Sequence, residues 1–136
     1  MVFLYKNRSL DKAQAWLAEI EQNVDFHEVV GACELRVAAW ADEVTSEYDV
    51  IINATASGLS DAFTPPSGVA FAANALAYDM MYGKPTAFLA WARAHDAQTA
   101  DGWGMLVEQA ARSFHIWHGV APDTAPLFRR IEQGDA

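Results

Sequence analysis

Short apolar runs, each stopping at small or polar residues, alternate along this sequence with stretches of helical periodicity, and no other feature narrows the fold so far. Val2-Phe3-Leu4-Tyr5 is the first run. It ends at Lys6-Asn7-Arg8, and Ser9 opens a helical pattern with Ala13, Trp16, Leu17 and Ile20 on one face. Ser9 is the expected N-cap, because its hydroxyl can accept from a free first-turn amide, and Asp11 suits the positive end of the helix dipole. Residues 23–34 read equally as helix or loop, and Leu35 to Trp40 has the makings of a short strand. Tyr48 to Asn53 is a clearer strand that halts at Ala54-Thr55-Ala56-Ser57-Gly58; so continuous an apolar run suits a sheet covered on both faces. Ala75 to Met80 reads as another buried strand, and Thr86 caps a helix to Ala94 anchored by Phe88, Leu89 and Trp91. After a short run at Ala97 to Thr99, Asp101 is the expected N-cap of a helix from Trp103 to His118, closed by Gly119 and then Pro122. A last amphipathic segment from Thr124 to Glu132 carries Leu127, Phe128 and Ile131. This rhythm predicts an α/β fold, a parallel sheet with helices on both faces.

Composition narrows the partners. The 136 residues suffice for one core but not for separate cofactor and substrate lobes. Eighteen acidic against nine basic residues give a net charge of −9, a field that repels phosphate backbones and anionic lipid, so neither nucleic acid nor membrane is expected as a partner. No stretch approaches the ~20 apolar residues of a membrane span, and the first residues do not resemble a signal peptide. Cys33, the single cysteine, cannot form an internal disulfide, which suits a reducing cytoplasm. His115 and His118 are spaced i, i+3, but no acidic or thiol partner has matching spacing, so no metal site is assigned. Ser57 and Ser60 sit in no nucleophile elbow and the chain has no P-loop run.

In a doubly wound sheet, ligands bind beyond the carboxyl ends of the strands, so the strand exits carry the functional reading. At the first exit, Asn7-Arg8-Ser9, an arginine suits a nucleotide 2′-phosphate where an acid would suit a 2′-hydroxyl; Lys12, one turn on, would enlarge that basic site, and the plain alternative is a solvated turn. The second exit, Asn53 to Gly58, offers small hydroxyls and a glycine that admits close backbone approach, or simply a turn. The third joins Asp79-Met80-Met81-Tyr82 to Asp101-Gly102-Trp103-Gly104, where a helix N-terminus could present amides to an electron-rich group. Gly102 and Gln109, about two turns apart, share one side of that helix at roughly 10 Å.

In order along the chain, Asn7-Arg8-Ser9, Val50 to Gly58, Tyr78-Asp79-Met80-Met81-Tyr82, Ala100 to Ala111 and Trp117-His118-Gly119-Val120-Ala121-Pro122-Asp123 resemble the C-terminal part of the shikimate dehydrogenases. The resemblance covers nearly the whole chain and implies a Rossmann-like, NADP-dependent oxidoreductase of aromatic biosynthesis that interconverts 3-dehydroshikimate and shikimate. It implies that Asn7, Arg8 and Ser9, with Lys12, grip the adenosine 2′-phosphate, that Thr55 and Ser57 lie beside the cofactor, and that Met80 and Gly102 pack near the nicotinamide. Tyr82 and Gln109 match contacts to shikimate. Ser9 stands where the family has Thr, and Lys84-Pro85-Thr86-Ala87-Phe88 rearranges a usual Thr-Pro-Phe helix start.

Two parts of the family pattern are absent. The catalytic Lys and Asp belong to an N-terminal substrate domain that this sequence lacks, and no Gly-rich phosphate turn or strand preceding it is present, so no catalytic residue is assigned. In the strand order 3-2-1-4-5-6 the first strand is central, and without it two neighbouring edges are left unpaired. Direct pairing of those edges, self-association, or docking of a separate N-terminal lobe would each repair this. The expectation is the cofactor-side part of a shikimate dehydrogenase, inactive alone; the alternative is a non-catalytic association or nucleotide-sensing module.

Overall fold

In a computed structural model that describes residues 2–22, 33–55 and 63–133, β1 (Val2–Asn7), α1 (Leu10–Glu21) and β2 (Glu34–Ala39) are followed by β3 (Ser46–Asn53) and β4 (Val69–Asp79). Then come α2 (Ala87–Arg93), β5 (Gln98–Ala100), α3 (Trp103–His118) and α4 (Ala125–Gln133). The chain divides into two compact units, one of Met1–Ser46 with Pro65–Ala70, the other of Glu47–Thr64 with Phe71–Ala136.

The first unit holds a parallel pair of strands in unslipped register, from Val2 opposite Glu34 to Asn7 opposite Ala39. Parallel partners need a crossover, and α1 supplies its helical part. The helix packs through Ala13, which is fully buried, and Trp16, whose ring lies 4.7 Å from that of Tyr5. Ser9 is the N-cap by position, with extended backbone, but its hydroxyl makes no capping bond. Asn7 Oδ1 accepts from the Ser9 amide instead at 3.0 Å, closing the turn one step earlier.

The second unit carries most of the three-stranded sheet, in the order β3-β4-β5. β4 and β5 run parallel, Leu76 opposite Gln98 through Tyr78 opposite Ala100, and the Met80 amide donates to the Asn53 carbonyl at 3.0 Å, so the carboxyl ends of β3 and β4 meet. β4 is longer than the sequence suggests. Asn74 interrupts it at φ 62°, a left-handed conformation that asparagine tolerates, and the predicted strand begins only after that kink. Ala77, Phe88, Leu89, Ala92 and Ala97 form the core, with Ile51, Phe63, Phe71 and Trp91 packed against it. The Trp91 ring has Phe71 at 4.6 Å and Phe63 at 5.6 Å.

Helix ends follow the sequence closely. Thr86 caps α2, its hydroxyl accepting from the Leu89 amide at 3.3 Å, and Gly119 ends α3 in the left-handed region at φ 71°. The cap of α3 is Gly102, one residue later than expected, while Asp101 Oδ1 accepts from the Trp103 amide at 3.2 Å.

One expectation is corrected. β3 is not covered on both faces among the described residues: Ile51 packs on the core, but Val50 and Ile52 are 52% and 56% exposed. The described strands form two sheets, β1-β2 and β3-β4-β5. The fold is mixed α/β with parallel pairing in each sheet, and no helix among the described residues is long and apolar enough to cross a membrane.

Candidate functional site

At the exit of β1, Asn7 fixes the turn into α1 with both ends of its amide. Its Oδ1 takes the Ser9 amide, its Nδ2 donates to the Tyr5 hydroxyl at 2.7 Å, and its carbonyl accepts from the Trp40 amide at 2.8 Å. Arg8, between these anchored residues, is exposed, as is Lys12 in the first turn of α1, and neither is in an ion pair among the described residues. The Ser9 hydroxyl is spared from capping. Two uncommitted cations and a hydroxyl therefore stand at one strand exit of a strongly acidic chain, an arrangement able to take up an anion.

Lys6, on the same strand, is committed elsewhere: its ammonium donates to the carbonyls of Asp42 at 2.6 Å and Ser67 at 3.2 Å. Partial burial holds its pKa below the usual lysine value, with the Asp42 charge opposing that shift. Arg36 pairs with Glu34 at 2.8 Å on the surface, and this partner lowers the Glu34 pKa.

In the second unit, the exits of β3 and β4 are tied together by Asp79, which is fully buried. Its Oδ1 accepts from Asn53 Nδ2 at 3.2 Å and from the Met81 amide at 3.1 Å, while Oδ2 accepts from the Thr86 hydroxyl at 2.5 Å. Asn53, also buried, turns its Oδ1 to the amide and hydroxyl of Thr55 at 3.1 and 2.7 Å. Thr55 is thereby held through Asn53, and Met81 directly.

Beyond Asp79 the chain bends across the start of α3. The Gly102 amide donates to the Met81 carbonyl at 2.9 Å, and a Cβ placed on Gly102 would lie 2.3 Å from the Met80 carbonyl oxygen. Gly102 has φ −75°, so it is a glycine for want of space and not for its backbone angle. The Gly102 amide itself is bonded to Met81 and is not open to an anion. The Tyr82 ring leans on that of Trp103 at 5.0 Å, and both Met80 and Tyr82 present about two fifths of their surface to solvent.

The structure thus groups Asn7, Arg8, Ser9 and Lys12 at one strand exit, and Thr55, Met80, Tyr82 and Gly102 around Asp79 and the start of α3. Gln109 is exposed on α3, two turns beyond Gly102. Ser57 lies outside the described residues, as does most of 23–34. Sequence reasoning named Asn53 and Asp79 only as members of the strand exits and missed the hydrogen bonding that joins them; the signal available was a carboxylate and an amide each closing an apolar run. Among the described residues no group of three His, Cys, Asp or Glu is placed to hold a metal. A surface cavity of about 270 Å³ lies along α3 and the segment before α4, lined by Glu108, Arg112, His115 and Thr124 among others, and contains none of the expected ligand residues.

A family profile described as the shikimate 5'-dehydrogenase C-terminal domain matches residues 102–127. The NADP(+) shikimate dehydrogenase of Methylobacillus flagellatus is 49% identical over 127 residues, 92% of this chain and 44% of that one. The chain therefore spans less than half the length of this relative. Among solved structures, an enzyme from Pseudomonas putida has a TM-score of 0.72 at 34% identity, covering 93% of this chain and 44% of that chain. A chorismate mutase/shikimate 5-dehydrogenase fusion protein from Clostridium acetobutylicum shares the fold, with a TM-score of 0.70 at 23% identity over 97% of this chain and 44% of that chain.

Proposed function

The chain is homologous to the C-terminal part of the NADP-dependent shikimate dehydrogenases, and from that premise we propose that it forms the cofactor side of such an enzyme. The observation that carries the proposal is Arg8, an exposed guanidinium in no ion pair among the described residues, fixed at a strand exit by Asn7 and followed by the equally free Lys12. These charges and the uncapped Ser9 hydroxyl suit the adenosine 2′-phosphate of NADP, as the chemistry of the donor set requires. NADPH, when bound, supplies the hydride that reduces the ketone of 3-dehydroshikimate.

The chain's own part in that reaction is binding and orientation. Asn7, Arg8, Ser9 and Lys12 hold the adenosine end, Thr55 and Ser57 flank the cofactor, and Met80 and Gly102 pack toward its nicotinamide. Tyr82 and Gln109 bind shikimate or 3-dehydroshikimate through phenol and amide, both able to hydrogen-bond hydroxyls. Holding both reactants in one geometry removes much of the entropic barrier to their encounter. The acid/base chemistry comes from an N-terminal lobe, so the chain alone is inactive. The same reading places the protein in the cytoplasm, where its lone Cys33 stays reduced.

The test is NADPH-dependent reduction of 3-dehydroshikimate by the purified chain, alone and mixed with a separately expressed family N-terminal lobe. Turnover only in the mixture is the expected result, and turnover by the chain alone would overturn the assignment of acid/base chemistry. A second reading, a non-catalytic association or nucleotide-sensing module, is favoured by exposed Val50 and Ile52 on β3. No turnover in either arm would favour it.

A further inference from the structure

Burying a carboxylate is expensive, and Asp79 has no exposure and no ion pair among the described residues. Capping α2 does not require it: the Thr86 hydroxyl caps that helix by accepting from Leu89. What Asp79 adds is a connection. Its donors come from the three segments that meet at the strand exits, namely Asn53 at the end of β3, Met81 just before Tyr82, and Thr86 at the start of α2. Through Asn53 the connection reaches Thr55, and through Met81 it reaches the Gly102 amide, which donates to the Met81 carbonyl. Met80, Tyr82 and Thr55 are the residues that the proposed function sets against cofactor and substrate.

We infer that Asp79 is a positioning residue for hydride transfer: one buried carboxylate fixes the Met80–Tyr82 segment and the Thr55 turn in a single relative position, so that cofactor and substrate contacts are registered to each other. Asp79 touches neither ligand. The inference rests on the functional reading above, and its test separates the two.

The first readout is amide hydrogen exchange in the full chain, which needs no turnover. In Asp79→Ser the hydroxyl is too short to span the donors, and the Met81 and Thr55 amides are expected to exchange at least about tenfold faster while amides in the middle of α3 stay protected. In Asp79→Asn the amide oxygen can still accept from Asn53 and Met81, and only the Thr86 hydroxyl must turn to accept from the new NH2. Protection at Met81 and Thr55 should therefore return. The second readout is turnover in the mixture with the N-terminal lobe. Asp79→Ser is expected to lower kcat about 100-fold, the order of loss for a misplacement near 1 Å, while KM for NADPH stays within about threefold because the Arg8 grip is untouched. Asp79→Asn should recover most of that kcat.

Failure of the functional reading would appear as a wild-type mixture without turnover. Failure of the positioning role would appear as Thr55 and Met81 exchange unchanged in Asp79→Ser, as exchange raised equally throughout the sheet, or as an Asp79→Asn variant no better than the serine. Should the serine variant not fold, Asn53→Ser cuts the same network from β3. It must then speed exchange at Thr55 and lower kcat, and an unchanged kcat would overturn the inference.

Discussion

Arg8 and Gly102 show two ways in which one residue decides what a strand exit can do. Arg8 acts through charge. If it grips a 2′-phosphate, Arg8→Ala should weaken NADPH binding by about 10- to 100-fold, the range for losing a charge-assisted hydrogen bond, and leave NADH within about twofold. Titration of both cofactors with the full chain and the N-terminal lobe checks this; equal losses for the two would point to a general effect on α1. Gly102 acts through space. A methyl there meets the Met80 carbonyl oxygen at 2.3 Å and its carbon at 2.9 Å, both backbone atoms, so Gly102→Ala should destabilise the chain by about 1–3 kcal/mol, read as a lower urea midpoint at unchanged slope. The basic exit was legible in the sequence because Asn7, Arg8 and Ser9 are adjacent and local rules govern a turn into a helix. The Asp79 network was not, because Asn53 and Asp79 are 26 residues apart and only the pairing of β3 with β4 brings their side chains together.

At the level of elements, two helix starts that look alike in sequence behave differently. Thr86 accepts from Leu89 and donates to Asp79, whereas the Ser9 hydroxyl makes no capping bond and the Ser9 amide donates to Asn7 Oδ1. Thr86→Ala should therefore cost about 1–2 kcal/mol or more, combining a lost cap with a buried carboxylate oxygen short of a donor, and Ser9→Ala about 0.5 kcal/mol or less. Paired urea titrations decide between them, and equal losses would contradict the hydrogen bonding at one start or the other. Helix positions were legible almost to the residue, since Thr86, Gly102 and Gly119 signal their roles within one turn. β4 was not: Asn74 breaks the apolar run, and nothing in a single sequence says that a left-handed asparagine will kink a strand and let it continue. The preceding Val69 to Ala73, which carries Phe71, adds nearly half of the strand.

For the whole molecule, what matters is the mismatch between the apolar pattern of the strands and what the chain covers. The run through β3 was read as buried on two faces; Ile51 finds the core, but Val50 and Ile52 remain more than half exposed, and Val2 and Phe3 on β1 are exposed at 48% and 45%. A strand with this pattern and an open edge is a pairing hazard unless something covers it. Two kinds of cover would compete for it, a second copy of the chain and the N-terminal lobe of the proposed enzyme. The chain alone should therefore sediment with a weight-average mass above that of one chain, rising with concentration. Ile52→Lys places a charge on the exposed face without touching the core, and should raise the dissociation constant of that self-association about tenfold or more, as expected for replacing a buried apolar contact with a desolvated charge. If the N-terminal lobe uses the same face, adding it should dissociate the homo-oligomer in proportion to the turnover it restores, and Ile52→Lys should weaken both together. A chain that sediments as a monomer at every concentration would remove self-association from this account. Turnover in the mixture that is indifferent to Ile52→Lys would move the lobe's docking surface away from β3.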